Sequence, residues 1–252
     1  MYDLPSEDPE EISMPDQYHG LQSTLLEDTF KPRNIASEQV FVASDLNIYY
    51  DLRNLNWYKR PDWFAVVGVE RLYEGRDLRD SYVIWQELVS PFAIVELLSP
   101  STENEDLGRT VRQPGNPPTK WQVYEQILQV PYYIVFSREK DEFQAFHLVA
   151  GQYKPVSLTD GHLPILQLEL SLGLWRGSYK GVNRLWLRWF TSDGELILTP
   201  DEEAAAAQQR LQEAEQQATE AQQRATEAEQ RAERLAAKLR ELNIDPDSMS
   251  LG

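Results

Sequence analysis

The 252-residue sequence contains no cysteine, which excludes disulfide bridges and thiolate metal sites and suits a reducing cytosol. Histidine is scarce: His19, His147 and His162 are scattered without ligand spacing and read as structural or surface residues. No apolar run approaches the roughly 20 residues needed to span a bilayer. The opening stretch MYDLPSEDPEE lacks the basic and apolar regions of a secretory signal. The expectation is a cytoplasmic protein with no membrane partner. Gly173, Gly177 and Gly181 form no phosphate loop and are expected to mark turns.

Positive charge is also in short supply, but unevenly. The formal net charge is -17. Residues 1–29 carry eight acids and no Lys or Arg. Residues 30–199 carry 18 basic and 21 acidic residues, and residues 200–252 carry six and 12. The acidity lies in the flanks, and the middle is nearly neutral. Such a domain has no basic footprint for a polyanion, although it can bind one locally with a metal ion.

What is present is a core and a rod. Hydrophobic content is 41% and aromatic content 11%, enough to pack one sizeable domain. Residues 1–29 read as a mostly extended acidic arm, docking through Tyr18, Leu21, Leu25 and Leu26. From residue 38 short strand-like runs follow: 39–51, 61–69, 81–88 and 92–99. WFAVVGV and FAIVELL are nearly continuous apolar stretches, as expected of central strands covered on both faces. A polar loop (100–118) leads to a helix over 120–130, with Thr119 as N-cap and Trp121, Tyr124 and Leu128 on one stripe. A strand at 131–137 precedes one hairpin at 143–158 around Ala150 and Gly151. A second hairpin is expected at 185–200 around Asp193-Gly194. The fold class is α/β with a mixed central sheet flanked by helices. Trp57, Tyr58, Trp85, Tyr132 and Tyr133 read as core.

The composition changes at residue 201 to Ala, Gln, Glu and Arg. Leu211, Ala218, Ala225, Ala232 and Leu239 are spaced by seven. Ala214, Ala221, Ala228, Leu235 and Leu242 form a second series offset by three. This heptad pattern predicts a long C-terminal helix and a coiled coil over 201–243, with a flexible tail at 244–252. The domain proper is 30–200.

Two acids stand in the apolar runs: Asp62 opens one and Glu96 lies inside the other. A carboxylate in a buried strand is costly unless something pairs with it. Lys120 opens the following helix, where a cation opposes the helix macrodipole. Two carboxylates and a lysine are a minimal kit for metal-assisted phosphodiester hydrolysis. Hard oxygen ligands suit Mg²⁺ or Mn²⁺, and the lysine can orient water or stabilise phosphate charge. The same residues also have bland readings, Asp62 as a turn cap and Lys120 as a surface cation.

RPDWFAVV, then FAIVELLSPST followed by Asp106, then KWQVYEQILQVPYYIVF resemble the bacterial Uma-two family, part of the PD-(D/E)xK nuclease superfamily. The likeness covers about residues 38–160. It implies a restriction-endonuclease-like core acting on DNA, with Asp62 and Glu96 as metal ligands and Lys120 as the catalytic lysine. The superfamily's usual lysine position is Leu98 here, so the lysine is expected from the next helix. Asp45 and Asp106 are supporting candidates. Cutting a duplex calls for two sites, hence a homodimer, which the C-terminal helix could supply or extend. The alternative is a catalytically inactive nuclease-like fold acting as a coiled-coil interaction module.

Overall fold

The computed structural model of the chain describes residues 16–242. The chain divides into two units between Thr199 and Pro200. The first begins with α1 (Gln17–Thr29), β1 (Val40–Ala43), β2 (Ile48–Tyr49), β3 (Tyr58–Lys59), β4 (Trp63–Val67), β5 (Tyr82–Val83) and α2 (Ile84–Glu87). It continues with β6 (Ala93–Leu97), α3 (Glu103–Asp106), α4 (Lys120–Gln122), β7 (Tyr132–Ser137) and β8 (Glu142–Val149). The last strands are β9 (Gln152–Pro155), β10 (His162–Ile165), β11 (Leu170–Tyr179) and β12 (Val182–Thr191). The second unit is α5 (Pro200–Glu241).

The central sheet has the order β1-β4-β6-β7-β8-β9, and two three-stranded sheets accompany it: β10-β11-β12 and β3-β2-β5. In the central sheet β6 and β7 are parallel and the other neighbours antiparallel. A parallel pair needs a crossover connection. Here it runs through α3, the 107–119 loop and α4, and it returns the chain to the sheet beside β6.

β4 and β6 lie in the middle of the layer, and alternate residues face opposite ways. Trp63, Ala65, Val95 and Leu97 enter a cluster completed by Tyr18, Leu25 and Leu26 of α1 and by Trp186 and Trp189 of β12. Phe64, Val66 and Ile94 enter a second cluster with Val123 and Tyr124 from the α4 region and Ile48 and Tyr82 from the small sheet. The apolar runs are thus covered on both faces, as their lack of alternation predicts.

Several expectations are corrected. The 1–29 arm is helical over Gln17–Thr29, not extended. Asp16 caps this helix by accepting from His19 N at 2.9 Å, and Leu25 and Leu26 are fully buried. Burial stabilises each leucine by roughly 1.5–3 kcal/mol, which is what ties an acidic segment down. Gln22 adds two bonds to β12, donating to Leu187 O at 2.7 Å and accepting from Leu187 N at 3.0 Å. The parts of the arm and tail at 1–15 and 243–252 lie outside the described residues.

The run 39–51 is two strands, separated at Asp45 by a positive φ of 57°. The run 81–88 is a two-residue strand followed by one helical turn. The hairpin around Ala150 and Gly151 forms as expected. The second long hairpin is instead β11–β12, turning at Lys180-Gly181, where φ is 47° and 80°. Asp193-Gly194 does form a turn, but beyond it only Leu196 bridges back, to Phe190. Gly173 and Gly177 lie inside β11, not at turns. Both are sites of close approach: a Cβ on Gly177 would fall 2.0 Å from the Trp175 ring.

Candidate active site

The register of β4 and β6 explains the two acids. Trp63 pairs with Val95 and Phe64 with Ile94, so Asp62 stands directly opposite Glu96. Asp62 shares the parity of Phe64 and Val66, and Glu96 that of Ile94. Both carboxylates therefore belong to the face that α4 covers. Leu97 N donates to Asp62 Oδ2 at 2.6 Å, fixing that carboxylate against the neighbouring strand.

Thr119 starts α4 with a reciprocal cap. Its hydroxyl accepts from Gln122 N at 3.3 Å, and its own N donates to Gln122 Oε1 at 3.2 Å. One turn on, the helix widens into a π turn over Val123–Ile127, with Leu128 N donating to Val123 O at 2.8 Å. Lys120, the first helical residue, donates from Nζ to Glu96 Oε2 at 3.0 Å and to Asp106 Oδ1 at 2.8 Å. Tyr124, one turn later, donates to Glu96 Oε1 at 2.8 Å. Both Glu96 oxygens are thereby held from one helix.

Glu96 and Asp106 are fully buried, and the Lys120 side chain is 16% exposed. Burial pushes the Glu96 carboxyl well above the ordinary carboxylate range, against the pull of Lys120. Burial raises Asp62 as well, opposed by Lys120 and the Leu97 bond. For Lys120 burial disfavours the charged form, but Glu96, Asp106 and Asp62 outweigh it and hold the ammonium protonated. Burial and the adjacent Glu96 likewise keep the Tyr124 phenol protonated.

The structure thus brings together Asp62, Glu96, Asp106 and Lys120. The long 107–119 loop does not keep Lys120 from its partners. The Asp45 carboxylate pairs instead with Arg60 at 2.9 Å, while its backbone N donates to Pro61 O at 3.1 Å, beside Asp62. Sequence reasoning missed three supports. Tyr124 reads in the sequence only as part of the helix stripe and Tyr133 only as core, yet Tyr124 donates to Glu96 and Tyr133 to Asp106 O at 2.8 Å. Glu105 accepts from Lys120 N at 3.0 Å and from Lys59 Nζ at 3.1 Å. Only the i, i+4 spacing of Lys120 and Tyr124 could have signalled that both reach one carboxylate.

Among the described residues no three His, Asp or Glu side chains form a ready-made metal cage. Two observations nonetheless fit a divalent cation. Asp106 Oδ2 is buried with no hydrogen-bond partner. Glu96 and Asp106 also converge on the Lys120 ammonium, with Asp62 opposite Glu96, so three carboxyl groups gather at one place. The donors would all be hard oxygens, suited to Mg²⁺ or Mn²⁺.

None of the curated proteins matches the chain. One similar solved structure, from Anabaena variabilis, is described as "a putative nuclease belonging to DUF820". The two are 12% identical with a TM-score of 0.41, over 62% of this chain and 76% of that one, too loose a likeness to bear on function. The family model described as "Putative restriction endonuclease", Uma2, matches residues 1–180, well over half of the sequence. The chain belongs to the Uma2 family.

Proposed function

We propose that the protein is a metal-dependent endonuclease that hydrolyses DNA phosphodiester bonds in the cytoplasm. The observation that carries this reading is the Lys120 ammonium held at 3.0 Å from Glu96 and 2.8 Å from Asp106, with Asp62 opposite Glu96 across the strands. Asp62 and Glu96 would hold Mg²⁺ or Mn²⁺, with Asp106 beside them through its unpartnered oxygen. When bound, the cation would polarise the phosphate and activate water.

The chain's own groups have separable tasks. Lys120 is kept protonated by its carboxylate neighbours, so it serves as a donor to the developing phosphate charge and not as a general base. Tyr124 orients Glu96, and Leu97 N orients Asp62. Glu105 fixes the backbone at Lys120 and thus the origin of the lysine side chain.

The second reading, an inactive nuclease-like interaction module, is favoured by one observation: Lys120 already pairs with one oxygen each of Glu96 and Asp106. Nicking of supercoiled plasmid with Mg²⁺ or Mn²⁺ at low salt separates the two. The expected result is metal-dependent nicking that Glu96→Gln reduces by about 10²-fold or more. Intact protein that neither nicks nor binds metal by calorimetry would overturn the nuclease reading in favour of the module.

A further inference from the structure

α5 is 42 residues long and has no buried residue. At about 1.5 Å per residue it is a rod of about 63 Å. Leu211, Leu235 and Leu242 are 59%, 54% and 70% exposed on its heptad seam. Setting the Leu211 series at a and the Ala214 series at d fixes every other heptad position. The g positions are Arg210, Gln217, Arg224, Arg231 and Lys238. The e positions are Gln208, Glu215, Gln222, Glu229 and Ala236. The g edge is therefore cationic or neutral throughout, and the e edge anionic or neutral throughout.

We propose that this face binds a second copy of the same helix, parallel and in register. In a parallel pair each g residue meets the partner's e residue of the next heptad. Arg210 then meets the partner's Glu215, Arg224 meets the partner's Glu229, and Gln217 meets the partner's Gln222. No like-charge contact arises between these edges. An antiparallel pair sets g against g and e against e, so the arginine row would face itself and Glu215 would share an edge with Glu229. Such repulsion suppresses the wrong orientation more strongly than the matching pairs reward the right one. Arg224 also has a local partner in Glu220 at 3.6 Å, an exposed contact that a facing carboxylate can replace. With Ala at six of the ten seam positions the apolar contribution is small, so the charged edges decide partner and direction. This inference does not rest on the nuclease reading. It adds that both domains are tethered to the same end of the rod, which gives one particle two candidate sites.

The test uses the full chain in analytical ultracentrifugation. The expected mass is twice the 29.2 kDa of one chain. Arg210→Glu with Arg224→Glu sets acid against acid at both charged g–e contacts, and Glu215→Arg with Glu229→Arg sets base against base there. Each double variant is expected to associate about tenfold more weakly or worse, and an equimolar mixture of the two to recover native association. Direction is read separately. The chain has no native cysteine, so Ala214→Cys near one end of the seam is expected to cross-link to itself on oxidation, whereas Gln216→Cys on the outer face is not. A native chain that sediments as a monomer overturns the proposal. So do double variants that associate as tightly as native, a mixture that fails to recover, or failure of the Ala214→Cys cross-link. Domain activity plays no part in these readouts, so loss of the nuclease reading leaves them interpretable.

Discussion

A Tyr124→Phe substitution deletes one oxygen and leaves buried Glu96 Oε1 without its donor. Loss of a hydrogen bond to a carboxylate in the interior is expected to cost about 2 kcal/mol, read as a shift in urea midpoint at unchanged slope. Asp16 offers the opposite case. Burial works against its ionised form, but bonds from His19 side chain and backbone, with Arg138 nearby, lower its pKa below the ordinary 3.8. A depressed carboxylate contributes stability above its unfolded pKa and loses it as pH falls through the folded value. Asp16→Ala is therefore expected to cost about 1 kcal/mol at neutral pH, the usual cost of a lost helix cap. That gap should stay constant down to about pH 4 and then close toward more acidic pH. Denaturation curves of both proteins across this range check the sign; a gap that widens on acidification would contradict it.

The cap of α4 positions Lys120, so Thr119→Ala should act on stability and site together. The expected loss is about 1 kcal/mol by thermal or urea denaturation, with Thr119→Ser retaining most of it. In the sequence this element was legible, because Thr119 and the apolar stripe are local signals. So were the central strands, whose unbroken apolar runs announced two covered faces, and the opposition of Asp62 and Glu96 followed once those strands were paired. Other features lie beyond local pattern. Lys120 meets Asp106 across a loop of Pro, Gly and Arg residues whose path no periodicity encodes. α1 was hidden by its acidic composition, since its burial depends on Leu187, 165 positions from Gln22. The second hairpin was misplaced because two turn dipeptides compete: Lys180-Gly181 is flanked by ten-residue strands and Asp193-Gly194 by a single bridge. At Gly181, where φ is 80°, substitution by alanine should cost about 1 kcal/mol, measurable in the same denaturation assay.

Both hydrophobic clusters are completed by residues up to Ile197, and all seven tryptophans precede residue 200. Removing residues 200–252 is therefore expected to leave tryptophan emission unchanged and the stability of the first unit within about 0.5 kcal/mol of native. A red-shifted emission would show that the core needs the rod. The way the chain closes on itself also has a bearing on its manufacture. Domains are made N-terminus first. Asp62 and Glu96 leave the ribosome early, but the groups that gather them come later: Asp106, then Lys120 and Tyr124. α1 emerges before any of these and waits for Leu187 on the last strand. A half-made chain thus carries both acids and none of their assembly. On the nuclease reading proposed above, this would be a safeguard: the blade is not set until the handle is finished.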